Sequence, residues 1–600
     1  MRSLFAELQR RNVIRVAVLY AVTSWVILQV GSFLFTAMDL PAKWTRLIIV
    51  VLLLGFPLAL IFSWIYELTP EGLRREHEID RDESITRQTG RRINILIVAL
   101  LVIAIGGLIV DRVFPRQGGA RDATADATPT AAASTPAAPP TATDRSVAVL
   151  PFVNMSSDKE QEYFSDGLTE EMINLLAQLP ELRVIGRTSS FQFKGKNEDL
   201  RDIAHKLGVA HVLEGSVRKS GDRVRITAQL VRALDGSHVW SKTYDRTLDD
   251  VFKIQDEIAD EIFKTLKVTL MGHETPRAGA STNLAAYDLY LKGRAYAEPR
   301  TREGLQKALA TYQDAIKIDP NYALAWVGLA SAYSDGASYS DLYTPHEGAR
   351  LAHDAIDHAL KLQPDLAEAH IMLGSILYND WDWDGASRAF ERANELAPGN
   401  ADLIRQRAYL AATVGRFEDA ITLLQESLRL DPLRVATVNG LSVTLRQLGR
   451  FAEAEAIARQ VIDEHPDFDS GYQTLALCKL LQGDLAQARE NIAREPSPIW
   501  KPLGEAIIFH ALGDRAASDV ALNALIEHFA DGSAYQVAEI YAFRGESDKA
   551  FEWLDRAYVQ GDSGLSEIVG DVLMRNVEHD PRYVAMLKKL RLPTDIPIAH

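Results

Sequence analysis

Five prolines set a ruler along the second half of this chain. Pro320, Pro364, Pro398, Pro432 and Pro466 stand 44, 34, 34 and 34 residues apart. Twelve residues before them lie Ala308, Ala352, Ala386, Ala420 and Ala454, and Ala488 continues the series. Five residues before the same prolines lie Ala315, Ala359, Ala393, Ser427 and Val461. A 34-residue period with small residues at fixed offsets predicts a unit of two antiparallel helices. Alanine stands where the helices approach, and proline stops the second helix because it lacks an N–H and clashes with the preceding turn. In the unit 367–400, Leu373, Gly374 and Leu377 form one inner stripe and Ala386, Phe390 and Ala393 the other. Gly415, Gly449 and Gly483 mark the turn within successive units. Each unit leaves apolar surface that only a neighbour covers, so the units must stack.

These residues resemble the tetratricopeptide repeat (TPR) family over 283–570. The register loosens after Glu495, where Gly513 and Gly545 recur at shorter spacing, and about eight helix pairs are expected in all. Residues 571–600 are expected to hold a capping helix, around Asp580–Leu587, and a tail. The resemblance implies a concave groove that binds a protein or peptide ligand and does no chemistry.

At 600 residues the chain exceeds what one core supports, so a multidomain fold is expected. The net charge of −16 argues against general nucleic-acid binding, which needs a basic face. The single cysteine, Cys478, excludes an internal disulfide and reads as a small core residue.

Three apolar runs precede the repeats, at about 16–38, 47–66 and 93–112, within an expected membrane anchor over 1–115. Each holds about 20 residues, enough to cross the hydrocarbon core. Arginines 2, 10, 11 and 15 and the arginine-rich loop 74–92 outweigh Lys43 and Arg46 between the first two runs. That bias predicts a multi-pass bacterial inner-membrane protein, its N-terminus cytoplasmic, its soluble domains periplasmic and the lipid bilayer a partner. Phe5–Val13, Trp25 and Glu67–Gly72 resemble a three-span module of gammaproteobacterial membrane proteins. Residues 116–144, rich in Ala, Thr and Pro, read as a disordered tether.

Residues 145–271 read as a small α/β domain. Strands are expected at 146–153, 182–186, 209–218, 224–233 and 237–244, and helices at 164–179, 200–207 and 249–266. Asp166 or Ser165 is the expected cap of the first helix. Ala148-Val-Leu-Pro-Phe152, Tyr163-Phe-Ser-Asp-Gly-Leu-Thr-Glu-Glu171, Arg187-Thr-Ser189, Leu213-Glu-Gly-Ser-Val-Arg218 and Arg223-Val-Arg-Ile-Thr-Ala-Gln-Leu230 resemble the TolB-like N-terminal domain. Relatives of that kind join it to TPR repeats, with a winged-helix or nucleotide-cyclase domain on the cytoplasmic side. The fold class expected is therefore a helical membrane anchor, a small α/β domain and an all-α solenoid.

Arg187, Glu214, Arg218 and Arg225 form the candidate polar cluster of the α/β domain. Glu214 and an arginine could meet across the hairpin as a structural ion pair on a sheet face, or the group could line an anion-binding cleft. No phosphate loop, nucleophile elbow or metal-ligand pair accompanies them, so no catalytic, cofactor or metal site is assigned. Asp380, Asp382, Asp384 and Glu391 fit a calcium-loop spacing. The helix register, however, puts Glu391 about 10 Å up the axis, out of reach. His346, His353, His358 and His370 read as surface histidines. The insertion at 334–344, with Tyr339 and Tyr343, reads as a longer turn at the groove rim.

The expected function is a membrane-anchored scaffold or adaptor that binds protein partners in the cell envelope, with no catalysis. The alternative is an envelope sensor lacking its output domain. No unassigned segment is long enough for a cyclase.

Overall fold

The computed structural model describes residues 145–179, 181–266, 283–340, 342–596 and 598, with Ser24, Phe56, 66–69 and 72–75 from the N-terminal part. There, β1 (Tyr66–Thr69) and β2 (Gly72–Arg75) form an antiparallel hairpin, Tyr66 opposite Arg75. Tyr66, read as the end of the second apolar run, therefore opens a strand. The runs themselves, and the tether, otherwise lie outside the described residues. Among the described residues no helix is long and apolar enough to cross a membrane. On that finding the expectation of a multi-pass inner-membrane protein with periplasmic domains and a bilayer partner is corrected.

The α/β domain is built on the sheet order β5-β3-β6-β7-β8. Its second strand in that order, β3 (Ser146–Val149), is buried at every residue and runs parallel to β5 (Arg183–Val184) and β6 (His211–Ser220). A parallel strand covered on both faces needs such an unbroken apolar run. Pro151 has no N–H for the ladder, so the one expected strand becomes two. The second piece, β4 (Val153–Asn154), pairs with the far end of β6. β6 turns at Gly221 (φ +61°) into β7 (Arg223–Arg232), and β8 (His238–Thr247) completes an antiparallel meander.

Four helices cover this sheet: α1 (Glu162–Ala177), α2 (Arg187–Phe191), α3 (Leu200–Leu207) and α4 (Val251–Leu266). α1 starts earlier than expected, so Ser165 and Asp166 lie inside it and cap nothing. Asp158 instead caps the short turn just before it, accepting from Glu160 N. Leu168, Met172 and Leu176 of α1 and Ile254, Ile258 and Ile262 of α4 pack against one sheet face. Ile203, Ala204 and Leu207 of α3 pack against part of the other.

Residues 284–560 form eight antiparallel helix pairs. They are α5 (Leu284–Ala297) with α6 (Arg302–Ile318), α7 (Ala323–Tyr339) with α8 (Pro345–Leu362), and α9 (Ala367–Asn379) with α10 (Trp383–Leu396). Next come α11 (Ala401–Thr413) with α12 (Phe417–Leu430), α13 (Val435–Gln447) with α14 (Phe451–Glu464), and α15 (Gly471–Leu481) with α16 (Leu485–Ala493). α17 (Trp500–Ala511) with α18 (Arg515–Phe529) and α19 (Ala534–Phe543) with α20 (Ser547–Gln560) complete the series.

Each of the five prolines stands two residues beyond the second helix of its pair. Ala308, Ala352, Ala386, Ala420 and Ala454 are fully buried at the helix–helix contacts. Gly374 shows why small residues are required: a Cβ there would stand 2.4 Å from the Phe390 ring. The glycines at 415, 449 and 483 end the first helix of their pairs with φ between +76° and +82°, a region that excludes most side chains. The insertion at 334–344 differs from expectation. It lengthens α7 and α8 to 17 and 18 residues, against 13 and 14 in the next pair. Tyr343 returns to pack edge-on against Tyr333, with ring centroids 5.5 Å apart.

The C-terminal segment closes the array on itself. Two short turns, 563–567 and 572–577, lie against α19, and α21 (Pro581–Lys589) follows. Beyond α21, Trp383 Nε1 donates to Leu590 O at 2.8 Å, 207 residues away in sequence. Ile596 lies against the backbone of Gly415, and Phe417 against Gly570. Residues 565–598 thus share one core with α10 and α12.

Gly374→Val should lower the chemical-denaturation stability by about 2–3 kcal/mol through overpacking against Phe390. An unchanged midpoint would mean the two helices are not in close contact there.

Candidate functional site: a cavity between the α/β domain and the array

The concave side of a repeat stack is where partner sites are sought. Here α1 of the α/β domain packs against the first helix pair. One stripe of α1, at 163, 166–167, 170, 173–174 and 177, faces the array. Gly167 makes the approach possible: a Cβ there would stand 2.5 Å from Leu291 of α5. Beside it, Tyr287 of α5 meets Phe164 and Phe252 edge-on at 6.5 and 4.8 Å. The apolar core therefore runs without a break from the sheet into the first three helix pairs.

Ion pairs flank that core. Asp288 of α5 accepts from Tyr163 Oη at 2.8 Å and pairs with Lys219 at 2.6 Å and Lys292 at 2.9 Å. Burial raises its pKa, but these three donors outweigh burial and leave it below the usual value. Glu170 of α1, 7% exposed, is gripped by Arg187 of α2 and Arg294 of α5. Arg187 reaches on to Glu298 at 2.5 Å.

A second contact lies at the α12–α13 junction. Gly186 N donates to Leu430 O at 2.7 Å, and Ser189 N to Asp431 Oδ1 at 2.7 Å. Leu433 N donates to Ser189 Oγ at 2.8 Å, and Gln192 Nε2 to Leu433 O at 2.7 Å. Asp431 is buried among these groups, and burial raises its pKa.

Between the two contacts lies an open cavity of about 530 Å³. Its walls carry the carboxylates of Asp166, Glu170, Glu298, Asp335, Asp402 and Asp431. Against them stand the guanidiniums of Arg187, Arg294, Arg300 and Arg434. Asp402 pairs with Arg405 at 2.6 Å and Arg434 at 3.0 Å; burial opposes ionisation, yet the two cations hold its pKa at about 2. Asp335 meets Arg300 at 3.6 Å, and burial raises its pKa. On the rim, Arg300 lies over the exposed ring of Tyr339, 4.7 Å from its centroid.

The four polar residues singled out in the sequence do not form one cluster. Arg187 sits at the cavity. Glu214, Arg218 and Arg225 share the polar face of the hairpin. Register puts Glu214 opposite Gln229 and Arg218 opposite Arg225, so the cross-hairpin pair expected for Glu214 is not made. Arg225 and Arg223 instead hold Asp245 of β8, and Arg218 Nε donates to Met155 O at 3.0 Å.

Of the calcium-like residues, Asp382 caps α10 through Gly385 N at 3.0 Å, and Glu391 lies on that helix with Ser387 at 3.1 Å. His353 pairs with Asp380 at 2.6 Å and His358 stacks on Trp326 at 4.6 Å. Cys478 is buried in α15, which raises its thiol pKa to about 11. Among the described residues no group of His, Cys, Asp or Glu could hold a metal ion. Glu170, Asp288, Arg294 and Asp431 went unremarked in the sequence, because their partners lie far off along the chain. Two of the sequence words, 163–171 and 187–189, nevertheless prove to be the face turned to the array.

Residues 143–261 match the family described as "HilA/YgeH-like transcriptional regulator, second domain", and residues 405–467 match the tetratricopeptide repeat. The array is thus an all-α solenoid of TPR-like form, with the family match falling on its middle pairs. The description matched over the α/β domain differs from the TolB-like resemblance, which is not shown. A candidate adenylate cyclase of Rhizobium meliloti is 39% identical over 218 residues, 35% of this chain and 37% of that protein. The transcriptional regulator HilA of Salmonella typhimurium is 22% identical over 312 residues, 51% of this chain and 54% of the regulator. This chain therefore spans about a third to a half of the length of these relatives. The crystal structure of a tetratricopeptide repeat protein from Parabacteroides merdae is 13% identical, with a TM-score of 0.35, over 45% of this chain and 99% of that one.

Glu170→Gln should cost about 1–3 kcal/mol in urea denaturation, since it strips a charged acceptor from two guanidiniums. Glu298→Gln, on an exposed partner, should cost under about 1 kcal/mol. Equal losses would mean that Glu170 does not join the domains.

Asp402, with its folded pKa below the unfolded value near 4, contributes stability that is fully present above pH 4 and lost as pH falls through about 2. Asp402→Asn should therefore be less stable than the parent at pH 7, with the gap closing between pH 4 and 2. A gap that does not change with pH would contradict the pairing.

Proposed function

We propose that the chain is a non-catalytic scaffold that holds a protein or peptide partner, with its α/β domain and repeat array acting as one body. The tetratricopeptide array carries this reading, because stacked helix pairs are an architecture for presenting a binding surface. The chain's own α1 and α2 line the cavity beside the array, so the reading puts the partner on its rim. There Arg300 lies over the ring of Tyr339, which is 60% exposed. Tyrosine and arginine are residue types that dominate protein-interface energetics.

The test places a photo-crosslinking residue at 339 in cells of the encoding organism. One reproducible adduct is expected there, absent when the same residue is placed at Val520 on α18. Arg300→Glu should abolish it while the circular dichroism spectrum stays unchanged. An adduct indifferent to Arg300→Glu, or equal at both positions, would contradict rim binding.

A second reading is favoured by the relatives named a candidate adenylate cyclase and a transcriptional regulator. In it, the partner-holding body is the regulatory part of a signalling system. Both readings predict no cyclic AMP from ATP with the purified chain. Turnover above that of a heat-denatured control would overturn the non-catalytic assignment.

A further inference from the structure

The stretch that follows α21 is seated as a separate peptide would be. Residues 591–596 and Ile598 belong to no helix or strand. Leu592 and Ile598 are buried and Ile596 is half-buried, whereas Thr594 and Asp595 between them are exposed. Arg591 N and Leu592 N donate to Lys588 O at 3.1 Å and Leu587 O at 2.8 Å, bonds that finish the last turn of α21. Farther on, Ile598 N donates to Glu578 Oε1 at 3.0 Å. Spaced aliphatic anchors on an irregular backbone are a way in which extended peptides are recognised. The slot that receives them has two walls. Gly415, at the turn of the fourth pair, makes room for Ile596: a Cβ there would run into Ile596 Cδ1 and stand 3.2 Å from Val569. Phe417 continues that wall and enters the space left by Gly570, which lies with Val569 between the two C-terminal turns.

The walls are fastened by contacts that come before residue 591. Trp383 Nε1 holds Leu590 O at 2.8 Å. Lys589 pairs with Asp555 at 3.0 Å and lies over the Tyr558 ring, 3.8 Å from its centroid. Trp381 packs against that same ring, with centroids 4.8 Å apart. It does so at φ +58°, in the turn position that Gly415, Gly449 and Gly483 hold in later pairs. That backbone region is costly for any residue with a Cβ, so the bond between the third and eighth pairs overrides local preference. Tyr535 Oη donates to Asp571 Oδ2 at 2.7 Å and ties the C-terminal turns to α19. The slot therefore keeps its walls when residues 591–598 leave it. Their hinge is Arg591, also left-handed at φ +57°, so seating the stretch works against the backbone there.

We propose that residues 591–598 are the built-in occupant of a peptide-docking slot on the fourth helix pair, and that the slot's partner is an extended segment with aliphatic side chains at the spacing of Leu592, Ile596 and Ile598. The chemistry of the partner is read from what fills the slot now: aliphatic anchors, with the charged Arg591 and Asp595 left exposed. The tail leaves and the partner enters by the same contacts, so the chain restrains its own docking site. A tail on a short tether competes at an effective concentration of about millimolar, which sets the threshold a partner must exceed. The slot lies on the fourth pair and Tyr339 on the second, so it does not depend on what the cavity rim holds.

The test uses the full chain and a fluorescein-labelled peptide with the sequence Arg591–His600, read by anisotropy. One variant combines Leu592→Asp, Ile596→Asp and Ile598→Asp, which spoils the built-in tail and leaves the slot walls unchanged. The peptide is expected to bind this variant saturably, and the parent at least tenfold more weakly. A peptide with the same three substitutions should bind neither. Phe417→Ala, added to the variant, should weaken peptide binding severalfold. The circular dichroism spectrum of the triple variant should match the parent's. The proposal fails if that spectrum is lost, since the tail is then an inseparable part of the core. It fails if the peptide binds variant and parent alike or binds neither, if the substituted peptide binds as well, or if Phe417→Ala changes nothing. It also fails if the parent forms dimers that the tail substitutions abolish, which would put a second copy in the slot.

Discussion

The close approach of α1 to α5, permitted by the missing side chain of Gly167, governs much of this molecule. Because Leu291 fits against that glycine, the apolar core of the sheet continues into the first helix pairs instead of ending at a domain boundary. Three consequences follow from that one contact. The α/β domain is held as part of the solenoid. One face of the first pairs is covered by α1. The polar residues of α1 are turned toward the array, where they form a charged cavity that apolar packing alone would have filled.

The ionic groups around the junction then set its geometry. Buried carboxylates are costly unless paired, and here most are paired across the two elements: Glu170 with Arg187 and Arg294, Asp288 with Lys219 and Lys292, Asp431 with the Ser189 amide. The other end of the solenoid uses a different device. Trp383 in the third pair and Gly415 and Phe417 in the fourth receive residues from the C-terminal segment, so the chain that follows the last pair reaches back to the middle of the array. A stack of this kind offers its rim and outer surface more readily than its groove.

The solenoid was legible in the sequence because its constraint is local and periodic. Ala386, Phe390 and Gly374 are small or large for reasons that recur every 34 residues. The buried strand β3 was legible for a similar reason, although Pro151 breaks its ladder sooner than its apolar run suggests. What the sequence hid was long-range. Ser189 and Asp431, or Trp383 and Leu590, carry no pattern that announces a partner more than 200 residues away. Register misled at Glu214, where a pairing of arginine with arginine leaves the glutamate opposite Gln229. The stretch 334–344, rich in Ser, Gly and Tyr, looked like a loop, but α7 runs on through its first half to Tyr339, and Tyr343 in the connection packs back against Tyr333. The N-terminal apolar runs suggested membrane spans from hydropathy alone, and no described helix has the length and apolarity that reading required.

Native-state hydrogen exchange at three amides tests most directly whether the α/β domain and the array are one body. Gly186, Ser189 and Leu433 donate across the junction to Leu430 O, Asp431 Oδ1 and Ser189 Oγ. None of the three lies within a strand, so nothing local protects them strongly. A fused body predicts that they exchange as slowly as the amides of β6 and with the same dependence on denaturant. Exchange at the rate of open loops, while β6 stays protected, would show that the domain rides free of the array and that the cavity between them is not a fixed feature of the fold.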